Sequence, residues 1–307
     1  MRILTLGYSP CPNDTFIFYA LAAGKIVCDE VSIDEVIRDV ETLNIWALGL
    51  ANEIGEIEPP LNVTKASFHA YGYLRDEYEL LDSGSALGRG CGPLLIASDR
   101  VRDLEDLRGI GTQTSPGART PKKIAIPGEF TTAHLLLKLF DAMEFPLRAT
   151  TVVMRFDKII SAVSEGAVDA GLIIHESRFT YKTWGLVPIL DLGQWWEDKT
   201  NMPIPLGAII ARKDLGADLI GNIAAAIKSS LMYAHSHRDE ILNYILQHSQ
   251  EVAPEVVNNH IALYVNDYTY SLGESGREAV DLLYKMADEQ GLFLGKPQTR
   301  GSRGSRG

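Results

Sequence analysis

Residues 123–142 read KIAIPGEFTTAHLLLKLFDA. The stretch divides into an apolar strand (Lys123–Ile126), a turn at Pro127-Gly128, and a helix (Thr131–Ala142) that opens on two hydroxyl residues. The same alternation continues downstream. Thr150–Met154 reads as a strand, Lys158–Ser164 as a helix, and Val168–Ile174 as an apolar strand ending at His175. Leu186–Asp191 is a further strand, followed by a helix at Trp195-Trp196, and Leu206–Ala211 is the last strand of the series. Upstream the order is similar. Arg2–Ser9, Val31–Val36, Asn62–Ala66 and Pro93–Ala97 read as strands. Helices are expected at Phe16–Ala23 (with Asn13-Asp14-Thr15 as N-cap chemistry), at Val40–Leu48, and after Ser67, which serves as the cap. Gly84–Gly92 reads as a glycine-rich loop and Gly111–Pro121 as an exposed one. Beyond residue 216 only helices follow, over Ala217–Ser236, Glu240–Gln247, Pro254–Val265 and Glu274–Gln290.

Alternating strands and helices predict an α/β protein with mostly parallel sheets flanked by helices. Two such units and one helical C-terminus fit a two-lobed layout. With Pro93–Ala97 and Leu206–Ala211 as crossing segments, residues 1–97 plus 206–295 form a discontinuous first lobe. Residues 98–205 form the second, and 296–307 a disordered Gly/Ser/Arg tail. A chain of 307 residues suffices for two domains. No GxGxxG follows a strand and no P-loop is present, so nucleotide binding has no support. The run Gly88–Gly92 precedes a strand, the wrong order for a phosphate cradle.

Composition narrows the function. The chain is 46% hydrophobic and 22% charged, with a formal net charge of −11. That balance argues against nucleic acid and anionic membrane surfaces as partners. A small anionic ligand remains compatible if local donors hold it. No apolar run approaches the ~18 residues of a membrane span, and no secretory signal is visible. Cys11, Cys28 and Cys91 form neither a metal pattern nor a disulfide framework. A cytoplasmic location is the simplest expectation.

Ligands in such sheets bind beyond the carboxyl ends of the strands. That rule selects four loops: Ser9–Phe16 with Asn13 and Asp14, Lys65-Ala66-Ser67, Pro127–Thr132 with Thr131 and Thr132, and His175–Arg178. Three of them open helices, whose N-termini favour anions, and Lys65 adds a full positive charge. Ser67, Thr131 and Asp14 also have a plain reading as helix caps; their convergence on one cleft is what favours a site. His175 ends a buried strand, and imidazole ordinarily titrates near neutrality, which suits a general base. The same position suits a structural histidine between lobes. His235, His237, His248 and His260 in the C-terminal helices are weaker candidates. Cys11 stands at a helix start, but its flanking prolines favour a rigid turn over a nucleophile. Glu129 and Glu176 read as solvated or capping, and Phe16, Phe18, Tyr19, Trp195 and Trp196 as core.

Several longer motifs carry a resemblance. SPCPNDTFIFYA (9–20), SALGRGCGPL (85–94), GLIIHESRFTY (171–181) and PIPLGAIIAR (203–212) resemble those of the MqnD family, the 1,4-dihydroxy-6-naphthoate synthases of the futalosine route to menaquinone. The likeness extends to about residue 292. It implies a fold of the periplasmic-binding-protein type 2 class and a carbon–carbon lyase. Cyclic dehypoxanthinylfutalosine, a small anionic aromatic substrate, would be cleaved to 1,4-dihydroxy-6-naphthoate with release of dihydroxyacetone. By the same resemblance His175 is the general base, and Lys65, Ala66, Ser67, Thr131 and Thr132 contact substrate. The implied chemistry requires neither metal nor redox cofactor; oligomeric state is left open. Two segments, about Ala51–Leu61 and Gly111–Pro121, look longer than in that family, and Ala66 replaces a larger apolar residue. Two other functions fit the same outline: a non-enzymatic solute-binding protein, and a chorismate dehydratase of the same pathway.

Overall fold

The computed structural model describes residues 2–28, 31–52, 54–108, 121–249 and 253–293, together with 295 and 297. Of the expected exposed loop at 111–121 only Pro121, and of the expected tail at 296–307 only Pro297, fall within the described residues. The chain divides into two compact units, Met1–Gly88 with Pro205–Gly307, and Arg89–Ile204.

The first unit opens with β1 (Arg2–Tyr8), α1 (Pro12–Ala22), β2 (Val31–Ile37), α2 (Val40–Ala47), β3 (Val63–Ser67), α3 (Phe68–Leu74), β4 (Tyr78–Leu80) and β5 (Ala86–Gly88). The second unit holds β6 (Leu94–Ala97), α4 (Leu104–Leu107), β7 (Lys123–Ile126), α5 (Thr132–Met143), β8 (Thr150–Val153), α6 (Phe156–Ser164), β9 (Ala170–Ile173), α7 (Ser177–Thr180), β10 (Val187–Asp191) and α8 (Leu192–Thr200). The chain then returns to the first unit through β11 (Ile204–Arg212). The helices α9 (Ala217–Ser236), α10 (Arg238–His248), α11 (Pro254–Tyr264), α12 (Asp267–Tyr270) and α13 (Gly273–Glu289) complete it.

The first sheet has the order β2-β1-β3-β11-β4, with β5 also paired to β11. Alternation along β1 buries Leu4, Leu6 and Tyr8 and leaves Ile3 at 69% exposure, as a half-buried strand requires. β1 pairs in parallel with β2 and β3, whereas β11 runs antiparallel to β3 and β4. Phe16, Ile17 and Phe18 of α1 join Ile220, Ile223, Ile227 and Leu231 of α9 over this sheet in one apolar core. The second sheet has the order β10-β6-β9-β7-β8. Its parallel pairs are β7 with β8 and β9; β6 runs antiparallel to β9 and β10. Leu94, Ile96, Ile159, Val163 and Ile173 centre its core.

Both units are α/β, as expected, but each sheet keeps its parallel pairing to one half rather than being mostly parallel. The first crossing also lies earlier than expected. It falls at Gly88/Arg89 and not at 97/98, because β6 is an inner strand of the second sheet, paired on both edges. The return comes at Ile204/Pro205, one residue before the expected 205/206. The segment read as the loop 84–92 contains β5, whose Ala86 and Leu87 are buried.

A tight backbone contact holds the second unit together beside β6. A methyl group added to Gly92 would come within 2.3 Å of the Gly193 Cα at the start of α8. Leu192 N–H donates to Pro93 O (3.1 Å) beside it. Backbone cannot rotate out of the way as a side chain can. Gly92→Ala is therefore expected to cost about 1–3 kcal/mol, typical of overpacking. Thermal denaturation of the purified variant checks this, and a melting temperature equal to that of the parent would reject the contact.

Candidate active site

Two groups of candidate residues take shape, one in each unit. In the first unit, β1 and β3 are parallel neighbours, so the loops after them leave the same edge of the sheet. The first helix begins sooner than expected. Cys11 is the N-cap of α1 and Pro12 its first residue, a position where the missing N–H costs nothing. The Cys11 carbonyl accepts from Asp14 N–H and Thr15 N–H (both 3.0 Å). Asn13 and Asp14 are thus not caps, and their side chains are free for other work.

Asp14 uses that freedom fully. Its Oδ1 accepts from Lys65 Nζ (2.6 Å) and Asn13 Nδ2 (2.8 Å). Its Oδ2 accepts from the Ser9 hydroxyl (2.7 Å) and Ser9 N–H (3.2 Å). The side chains of Lys65 and Asp14 are 6% and 1% exposed, so water does little for either charge and the pair must satisfy itself. This corrects the expectation of a full positive charge at Lys65: Asp14 neutralises it. What Lys65 retains is a fixed ammonium with donors beyond the one given to Asp14. The stem of Lys65 needs the glycine opposite, since a methyl group at Gly207 of β11 would sit 2.8 Å from its Cε.

Strand alternation sends Lys65 and Ser67 to one face and Ala66, fully buried, to the other. Ser67 occupies the N-cap position of α3, yet its side chain makes no capping bond. Its hydroxyl accepts instead from Asn44 Nδ2 (3.1 Å), and its N–H donates to Asn44 Oδ1 (2.8 Å). Asn44 is fully buried on α2. His260 of α11, ranked among the weaker histidines, is also fully buried, and its Nε2 lies 2.9 Å from Asn13 Oδ1. The sequence contains a signal for both. Asn44 interrupts the apolar stripe Val40-Leu43-Ala47, and His260 the stripe Val257-Ile261-Tyr264, at helical spacing.

In the second unit, β7 and β9 are parallel neighbours, so the loops carrying Thr131 and His175 share one sheet edge. Thr131 caps α5: its hydroxyl accepts from His134 N–H (3.3 Å) and donates to Gly128 O (2.9 Å). Thr132 is the first residue of that helix and is buried. His175 follows β9 with φ = 55°, in the left-handed region. For a non-glycine residue this conformation costs about 1 kcal/mol or more and concentrates at functional sites. The imidazole lies edge-on to Phe156, with centroids 5.1 Å apart.

The neighbours of His175 are committed to structure. Arg178 donates to Gly92 O (2.6 Å) and pairs with Asp191 Oδ2 (3.0 Å), which ties α7 to the start of α8. Glu176 is buried rather than solvated, and it makes no side-chain cap bond to α7. Burial pushes the Cys91 thiol up to about 12, far from a reactive thiolate at neutral pH. Phe16, Phe18 and Trp196 are core, as read. Among the described residues no group of three or more His, Cys, Asp or Glu side chains could hold a metal ion. None of the described helices is long and apolar enough to cross a membrane.

His134 gives the site a measurable acid response. Burial lowers its pKa to about 4, and its Nδ1–H donates to Glu129 O (2.9 Å). The unfolded chain, with an ordinary imidazole near 6.5, binds more protons below that pH than the folded one. Stability is therefore full above about pH 6.5 and is lost as pH falls towards 4, by roughly 2 kcal/mol at pH 5. His134→Gln is expected to flatten the decline in melting temperature between pH 7 and pH 5. Parallel declines in parent and variant would reject the assignment.

Comparison with known proteins adds identity to this geometry. A family model described as menaquinone biosynthesis matches residues 4–289. A Thermus thermophilus protein named 1,4-dihydroxy-6-naphtoate synthase is 45% identical over 298 residues, 97% of this chain and 98% of that one. A Streptomyces coelicolor protein of the same name is 42% identical over 290 residues, 94% of each. A solved Archaeoglobus fulgidus structure, 36% identical, superposes with a TM-score of 0.78 over 94% of this chain and 98% of its own. A Candida albicans protein described as exhibiting the generic periplasmic binding protein fold is 13% identical. It superposes with a TM-score of 0.63 over 98% of each chain, a likeness of fold alone.

Proposed function

The chain belongs to the menaquinone-biosynthesis family, and from that membership we propose that it is a 1,4-dihydroxy-6-naphthoate synthase. The proposed substrate is cyclic dehypoxanthinylfutalosine, cleaved to 1,4-dihydroxy-6-naphthoate and dihydroxyacetone in the cytoplasm. His175 is the base. It takes a hydroxyl proton of the substrate, the carbon–carbon bond to the sugar-derived carbons breaks, and aromatisation of the ring drives the step.

The observation that carries this reading is the left-handed backbone at His175. Such a conformation persists only where the surrounding structure enforces it, and here it presents an imidazole at the carboxyl end of an inner strand. The buried Lys65 and Ser67 on one face of β3, and Thr131 and Thr132 at the start of α5, are the donors assigned to the substrate, the carboxylate going to Lys65. With Asp14 neutralising Lys65, the carboxylate meets oriented N–H donors more than net charge. The solute-binding and chorismate-dehydratase readings have no comparable support, since the relatives that share over 40% identity carry the synthase name.

The test is direct. Purified protein is incubated with cyclic dehypoxanthinylfutalosine, and both products are followed by liquid chromatography and mass spectrometry. Equimolar 1,4-dihydroxy-6-naphthoate and dihydroxyacetone are expected. Binding without consumption would identify a solute-binding protein instead, and dehydration of chorismate would identify the sister activity.

A further inference from the structure

We propose that His260 is a positioning residue for this site: through Asn13 and Asp14 it fixes the Lys65 ammonium in the orientation that receives the substrate carboxylate. The inference deepens the proposed function and rests on it for the identity of the anion.

Four side chains form one continuous hydrogen-bonded series. His260 Nε2 lies 2.9 Å from Asn13 Oδ1. Asn13 Nδ2 lies 2.8 Å from Asp14 Oδ1, and Lys65 Nζ 2.6 Å from the same oxygen. All four residues are at most 5% exposed. The direction of each bond follows from the carboxylate, which only accepts. Asn13 must turn its NH2 to Asp14, which leaves its carbonyl towards α11, so His260 Nε2 must carry the hydrogen. The reversed amide would set a carbonyl oxygen against a carboxylate oxygen. The imidazole thus selects one orientation of the Asn13 amide, and that amide holds the carboxylate from the side opposite Ser9.

Asp14 is thereby gripped by Asn13 at one oxygen and by Ser9 at the other. Without the first grip the carboxylate can swing, and Lys65 follows it, because a buried ammonium stays with its counter-ion. The series joins residues 247 positions apart, so the C-terminal helices set the geometry of a pair made near the start of the chain.

The test uses the full chain with His260→Ala, His260→Gln and Asn13→Ser. Glutamine places an N–H donor where Nε2 stands, and Asn13→Ser breaks the series at its second member without opening the His260 pocket. The first readout needs no substrate: the rate at which an amine-acetylating reagent modifies Lys65, followed by peptide mass spectrometry. The second is the split between KM and kcat. Loss of one hydrogen bond in this series is expected to speed Lys65 acetylation about tenfold and raise KM about tenfold, with kcat changed by less than about threefold. His260→Gln should stay within about threefold of the parent on both counts. Parental acetylation and KM in either His260→Ala or Asn13→Ser would overturn the proposal. So would a folded His260→Gln protein as impaired as His260→Ala. If the parent protein does not consume the naphthoate precursor, the proposed function fails, and the acetylation rates still decide the positioning role.

Discussion

His175→Asn is expected to lower kcat by about 10²–10⁴-fold, the usual contribution of a general base. Asparagine is the informative replacement because it tolerates the left-handed backbone at φ = 55°, where alanine would add strain to the loss of the imidazole. The variant should therefore fold like the parent and lose only the proton acceptor. Binding of the product, measured by titration calorimetry, should change by no more than a few-fold. A kcat within tenfold of the parent would remove His175 from the mechanism and leave it as the packing partner of Phe156.

Asp14→Ala is expected to have the largest effect on stability. It strands the Lys65 ammonium, buried among the groups that Asp14 now satisfies. Breaking a buried pair from one side typically costs 3–5 kcal/mol, or roughly 10 °C in melting temperature for a protein of this size. The double variant Asp14→Ala with Lys65→Met should recover much of that loss, because it removes the orphaned charge as well. The two substitutions are then strongly non-additive in thermal melts. A single variant that melts within about 2 °C of the parent would show that the ammonium finds water after all.

Much of the architecture was legible because apolar runs and helical stripes report burial locally. The apolar run before His175 reads as a buried strand, and Ala217–Ser236 as a long helix, as they are. What was not legible depended on partners distant in sequence. Pro93–Ala97 looks alike whichever sheet receives it; only pairing with β9 and β10 assigns it to the second unit. The helix α1 starts before Asn13-Asp14-Thr15 because those residues, though good caps, follow Pro12, which is an equally good first helical residue. The charge at Lys65 read as unbalanced because its counter-ion lies 51 positions earlier. Asn44 goes unremarked, and His260 ranks only as a weaker histidine, because a polar residue within an apolar stripe is conspicuous only when the stripe itself is trusted.

The late return of β11 has a consequence for biosynthesis. β11 lies between β3 and β4, so the first sheet stays split until residue 212 has left the ribosome. Residues 89–203 are all translated before that strand, so this inserted unit can mature while β3 waits with one edge unpaired. At ordinary elongation rates the wait is on the order of ten seconds. During that interval the nascent chain is open to edge-to-edge association and to chaperones, and premature termination between the two crossings would release the first unit without its middle strand.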